Sequence, residues 1–314
     1  EKGDSNPHRG GAFASPAWPD DGALHFSLRG VDLRALHAGD VEHLPAFYAD
    51  LKAAAMTLKS GQDGVIICTY VFGRMGGLLH AWAKQVSRLD LAMLTLVGDE
   101  GSLKLCTSIG WPLVCIHSEM GILVWYVAIH ALLSFGSDVL FLDADAVLRG
   151  DVAESLSGIA VAKQMDMLIM VDEPHCEPRT VFLYVRTTQA ARDLFYLFIS
   201  WLFKHPYEFE QFAFASFLLY GEGLPLTDAP AGLDVVLKAL RWDRAEYPPG
   251  RFVEQTRFWT GRVEDILLWH HAGGRMEDKL RQVGIATGDR QEAFEAMVSE
   301  RWRSQEFFEA VLPC

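Results

Sequence analysis

Two carboxylates close the apolar run Asp138-Val-Leu-Phe-Leu: Asp143 and Asp145, spaced i, i+2 within the segment 138–149. On a β-strand, side chains two apart point to the same face. That spacing predicts both carboxylates reaching one cation at the strand's C-terminal edge, where open α/β sheets bind their ligands. Hard oxygen ligands suit Mg²⁺ or Mn²⁺, ions that bridge carboxylates to substrate phosphates. The chemistry indicated is a metal–diphosphate site. The plainer reading is a pair of turn-forming aspartates whose solvated side chains cap a loop or helix after a core strand.

The elements needed to position these residues are legible around them. Residues 121–135 form an apolar stretch long enough for a buried helix, and Gly136 supplies a C-terminal stop before the strand. Upstream, apolar residues at helical spacing over 40–59 predict an amphipathic helix. Strands follow at 65–70, 92–97 and 112–116, with helices over 77–88 and 101–109 between them. Strands alternating with helices imply a parallel, doubly wound sheet. Past Asp151, strands are expected at 167–171 and 180–186 and helices at 188–203, 210–219, 279–283 and 291–310. The first 40 residues, rich in Gly, Pro, Asp and Ser, read as an irregular arm, and 41–314 as a single domain.

Composition narrows the function classes. Half of the 314 residues are hydrophobic and 22% are charged, which supports a large core and argues against disorder. With 28 Lys and Arg against 41 Asp and Glu, the net charge is −13, and no basic stripe is present. Nucleic acid is therefore excluded as the expected partner. An acidic protein that binds an anionic nucleotide needs a metal or a local cation, in agreement with the carboxylate pair. The five cysteines show no C-x-x-C spacing, so a structural zinc site is not expected. Cys68, within an apolar strand, reads as a small buried hydrophobe. One or two disulfides are compatible with an oxidising lumen.

These segments, in this order, resemble the nucleotide-diphospho-sugar transferases of glycosyltransferase family 77. The similarity runs from about Gly64 to Lys279. Gly136-Ser-Asp-Val-Leu-Phe-Leu-Asp-Ala-Asp-Ala-Val-Leu-Arg149 is similar to the family's metal-binding segment. Leu96-Val-Gly-Asp-Glu100, Phe182–Thr188, Glu210-Gln211, Tyr247-Pro-Pro-Gly250 and Leu268-Trp-His-His-Ala-Gly-Gly274 with Lys279 resemble further family segments. The resemblance implies a GT-A-type, Rossmann-like mixed sheet, mainly parallel and flanked by helices. It also implies a retaining transfer of a pentose or hexose from a UDP-sugar to a glycan or protein acceptor. On this reading Asp143 and Asp145 hold Mn²⁺ (or Mg²⁺), and His270 or His271 completes the shell as a neutral imidazole. Lys279 neutralises the leaving phosphate, where charge develops. Thr69 and Tyr70 lie against the nucleoside, with Asp143 at the nucleotide end, and Glu210 and Gln211 approach the sugar. The family setting is the Golgi lumen, with an anchor upstream of this chain.

The departures fall at the sugar end. The family's Asn-x-Gly is replaced by Arg179-Thr180-Val181, its Asp-Gln by Glu210-Gln211, and a lysine near the start of the long helix by Val124. They admit a second reading, an inactive transferase-fold subunit of a larger assembly. The stretch 194–203 is apolar around its whole circumference, so it is either buried in the domain or laid against a protein partner. A metal-dependent phosphohydrolase fits less well, because the Thr/Ser and Lys pattern that would flank its aspartates is missing.

Overall fold

The computed structural model describes residues 46–59, 64–172, 177–205, 210–243, 252–254, 267–270 and 281. The arm expected over 1–40 and the helices expected at 279–283 and 291–310 lie outside these, save for Arg281, which is helical. Helix α1 spans Ala46–Lys59 and leads to strand β1, Val65–Val71. A 3₁₀ turn over Gly73–Leu78 passes directly into α2, Leu79–Arg88. Strand β2 (Met93–Val97), helix α3 (Glu100–Ile109) and strand β3 (Leu113–His117) follow. Helix α4, Val124–Ser134, precedes β4, Asp138–Leu142, and a short β5, Ala146–Leu148. Then come α5 (Val152–Lys163), β6 (Met167–Asp172), β7 (Glu177–Val185) and α6 (Gln189–Leu202). The described remainder holds α7 (Glu210–Leu219), α8 (Leu233–Ala239), β8 (Trp242–Asp243), β9 (Phe252–Glu254) and β10 (Leu268–His270).

Among the described residues, seven strands form one sheet in the order β3-β2-β1-β4-β7-β6-β8, and β5-β10-β9 form a second, three-stranded one. β3, β2, β1 and β4 run parallel, as do β6 and β8. β7 is antiparallel to both its neighbours, β4 and β6. The sheet is therefore mixed rather than wholly parallel. The cause is chain length, since only residues 173–176 separate β6 from β7, and a parallel return needs a dozen or more.

The central strands are predominantly apolar, with buried Thr69 and Thr95 among them, because both sheet faces are covered. On one face α1, α4, α6 and α7 enclose a core containing Tyr48, Ile129, Phe141, Phe198 and Phe214. On the other, α2, α3 and α5 pack with β5 and β10 around Trp82, Leu140, Leu156 and Trp269. Helix α4 is buried from Val124 through Leu133, which accounts for its apolar circumference. It ends at Gly136, whose φ of 78° lets the chain turn into β4. Among the described residues no helix is long and apolar enough to cross a membrane.

The stretch 194–203 proves to be an inward-facing element. Leu194, Phe195, Phe198, Ile199, Trp201 and Leu202 are all buried, and α6 packs against α4, α7 and α8. Phe198 meets Tyr126, Phe214 and Phe217 edge-on at centroid distances of 4.8, 4.9 and 5.0 Å. Burial within the domain thus explains the missing polar face, and the argument for a partner there loses its motive. Phe198→Ala is expected to cost about 3–5 kcal/mol of stability, read as a lower denaturation midpoint in guanidinium. A near-neutral effect on the isolated chain would instead mark 194–203 as a surface awaiting a partner.

Candidate metal centre

Strand β4 ends at Leu142, one residue before the carboxylate pair. Asp143 and Asp145 therefore sit on a turn, closed by the Ala146 N–H donating to the Asp143 carbonyl at 3.0 Å. The expected same-face strand geometry is replaced by a reversal that leads into β5. The turn brings the carboxylates together all the same, and β5 adds a third group. β5 pairs antiparallel with β10, setting His270 opposite Ala146 and next to Asp145.

The result is a cluster assembled from two distant parts of the chain. Asp143, Asp145 and His270 each offer a ligand atom, all within 4.8 Å of one another. His270 Nε2 lies 3.1 Å from Asp145 Oδ1, across 125 residues of sequence. Asp145 and His270 are almost fully buried, and Asp143 is half-buried. Two carboxylate oxygens and one imidazole nitrogen form a donor set that suits a divalent cation such as Mn²⁺, with imidazole less typical of Mg²⁺. His271 and Lys279, the other residues expected here, lie outside the described residues, as does the segment 247–250.

Not every carboxylate of the segment belongs to this cluster. Asp138, at the opposite end of β4, accepts from the Thr187 N–H at 2.7 Å, the Thr187 hydroxyl at 2.8 Å and the Tyr184 hydroxyl at 3.0 Å. It ties β4 to the chain that follows β7, and its role is structural.

The sugar-side candidates are brought to the same edge. Glu210 begins α7 and is buried, with Gln211 half-buried beside it. Burial raises the Glu210 pKa above the ordinary glutamate value. The Tyr126 hydroxyl, from the buried helix α4, donates to the Glu210 carbonyl at 3.2 Å. Burial raises the Tyr126 pKa far above the usual phenol value, and the nearby charges of Glu210 and Asp143 act in the same direction. The Thr180 hydroxyl opposes that rise through a hydrogen bond to Tyr126. Tyr126 therefore stays a protonated donor at the start of α7, within reach of the charge of Asp143. Thr180 reaches this point because β7 pairs Phe182 with Leu142, which carries Thr180 past the end of β4. Nothing in the sequence singled out Tyr126, whose position on an apolar helix reads as core.

Thr69 and Tyr70 reach the same sheet edge on opposite faces. Tyr70 belongs to the core beneath α1 and α4, whereas the neighbouring positions of Thr69 alternate to the face of Trp82. The Thr69 hydroxyl is fully buried and has no hydrogen-bond partner among the described residues. Tyr70 stacks on the half-exposed Phe72 at 5.3 Å and closes over Gly98, where a Cβ would collide with its ring. Next to it, the Asp99 carboxylate caps α3 through the Ser102 N–H at 2.9 Å and takes the Gly73 N–H at 2.6 Å. These hydrogen bonds, from Ser102 first, hold its pKa below the ordinary aspartate value.

Mixed sheet, strand order and flanking helices define an α/β fold consistent with a GT-A-like, Rossmann type, with an Asp-Asp-His cluster able to take a metal ion. Among solved structures, this chain is similar to the glycosyltransferase GlyE of Streptococcus pneumoniae TIGR4, at a TM-score of 0.45 and 11% identity over 75% of this chain and 63% of that one. It is likewise similar to the apo-form of GlyE, at a TM-score of 0.42 and 12% identity over the same shares. The chain thus spans under two thirds of the length of these structures, 63%. No family model and no curated protein matches it.

Glu210 gives the site a pH signature. Its raised pKa means that the folded state favours the protonated carboxyl. That contribution is fully present below the ordinary glutamate pKa and is lost as pH rises through the elevated value. Glu210→Gln, which cannot ionise, is therefore expected to gain thermal stability over the wild type at pH 8 more than at pH 5. Melting curves at the two values check this, and an equal difference at both would contradict the buried carboxyl.

Proposed function

We propose that this chain is a metal-dependent retaining glycosyltransferase of the family 77 type, transferring a pentose or hexose from a UDP-sugar to a glycan or glycoprotein acceptor. The observation that carries the reading is the convergence of Asp143, Asp145 and His270 within 4.8 Å at the C-terminal edge of the parallel strands. That edge is where this class of sheet takes its ligands.

In this reading Asp143, Asp145 and His270 hold Mn²⁺ (or Mg²⁺). A bound divalent ion would supply positive charge to the departing diphosphate. Glu210, desolvated and anchored by Tyr126, is assigned to the hydroxyls of the donor sugar, with Gln211 beside it. Tyr70 and the Gly98-Asp99 corner are assigned to the nucleoside. Lys279 is assigned to the leaving phosphate and His271 to the neighbourhood of the metal, both on the family resemblance. Retention by front-side displacement requires no dedicated protein base.

The proposed setting is the Golgi lumen. The disulfide between Cys106 and Cys115, which fastens α3 to β3, supports an oxidising compartment. An inactive subunit is the alternative, favoured by Arg179-Thr180-Val181 and Val124 at the sugar end. Burial of Leu194, Phe195, Phe198, Ile199, Trp201 and Leu202 speaks against it.

Calorimetric titration of UDP into the folded protein, with and without Mn²⁺, tests the reading. Binding is expected to require Mn²⁺ and to weaken at least tenfold, about 1.4 kcal/mol, in Asp145→Asn. Absence of binding under every condition would overturn the enzyme and leave the inactive subunit.

A further inference from the structure

Among the described residues, one face of helix α2 holds the turn that carries both carboxylates and the strand that follows it. Trp82 on α2 donates its indole N–H to the carbonyl of Ala144, the residue between Asp143 and Asp145, at 2.6 Å. Three residues on, Gln85 Oε1 accepts from the Leu148 N–H at 2.6 Å, and Arg88 donates to the Leu148 carbonyl at 3.3 Å. Trp82 and Gln85 are both fully buried. β5 has β10 on one edge only, and these side chains satisfy backbone groups on its other edge among the described residues. A helix side chain at i, i+3 and i+6 thus stands in for a neighbouring strand.

We propose that Trp82 is the positioning residue of the metal turn, its indole N–H setting the direction in which Asp143 and Asp145 leave the backbone. An Asp-x-Asp reversal in which the middle carbonyl is free can rotate about the peptide planes on either side, and each rotation swings one carboxylate off the shared site. Fixing that carbonyl to a buried, fully packed indole removes the freedom before any ion arrives. Groups that hydrogen-bond a metal ligand directly change affinity by about 10–100-fold when mutated; Trp82 acts on the backbone between the two carboxylates, and an effect of the same order is expected. Gln85 and Arg88 hold the far end of the same segment, so the turn is pinned at Ala144 and again at Leu148. The inference rests on the metal-binding reading above, but it concerns only the preorganisation of the turn.

The test is Mn²⁺ affinity of the full chain, measured without UDP by loss of the free-ion resonance in electron paramagnetic titration. Trp82→Phe keeps most of the ring and loses the N–H, and it is expected to bind Mn²⁺ about 10–100-fold more weakly. Leu79→Ala, buried on the same helix without a bond to the turn, serves as a destabilised control and is expected to keep wild-type affinity. Equal affinity of Trp82→Phe and wild type would overturn the proposal alone, whereas a wild type that takes up no Mn²⁺ would overturn the metal reading with it. A second measurement needs no variant. Coupling is reciprocal, so Mn²⁺ bound to a turn held by Trp82 must slow hydrogen exchange of that indole N–H. Exchange unchanged by the ion would contradict the proposal.

Discussion

The arrangement depends on keeping two carboxylates together where water cannot reach one of them. Asp145 is almost entirely buried, and its neighbour Asp143 contributes charge of the same sign. Burying an ionised carboxylate without compensation is strongly unfavourable, and a second one nearby makes it worse. Among the described residues, His270 lies 3.1 Å from Asp145 and is one partner for it. That contact exists only because β10 returns to pair with β5, so a residue 125 positions away completes a site begun in a local turn. A divalent cation would relieve the same repulsion directly. Two carboxylates and an imidazole brought this close together form a cluster that could hold a metal ion.

Around this centre the fold assigns rigid supports to different layers. On one face Trp82 of α2 reaches the carbonyl between the two aspartates. On the other, Tyr126 of the buried helix α4 anchors the start of α7 through the Glu210 carbonyl and feels the charge of Asp143. The two supports approach from opposite sides of the sheet, and both are fully buried side chains. Asp138, at the other end of β4, shows what a carboxylate of the same strand looks like when its hydrogen bonds make it a structural tie.

How much of this the sequence disclosed depended on the range of the interaction. The carboxylate pair stood out because an apolar run ended on it, and the fold class followed from alternating strands and helices. The local reason was different from the one expected, since the pair lies on a turn closed at Ala146 and not on a strand face. The direction of β7 was hidden in a four-residue connection rather than in any periodicity. His270 entered only through a family resemblance, because nothing local distinguishes it from a histidine capping a strand. Trp82 and Tyr126 were invisible as functional residues. An aromatic residue on the apolar face of a helix carries the same pattern whether its polar atom is idle or bonded to a metal turn. The apolar helix α6 left both readings open, since full burial and an exposed interface leave the same signature in sequence.

The central claim is that Asp143, Asp145 and His270 act together as ligands of one ion. Pulsed electron paramagnetic resonance of Mn²⁺ bound to the protein with UDP tests it most directly, because it detects nitrogen and phosphorus nuclei coordinated to the metal. The account predicts a single imidazole nitrogen coupling in the wild type that disappears in His270→Gln, with the phosphorus coupling retained. A nitrogen coupling that survives in His270→Gln, or none in the wild type despite bound ion, would contradict it.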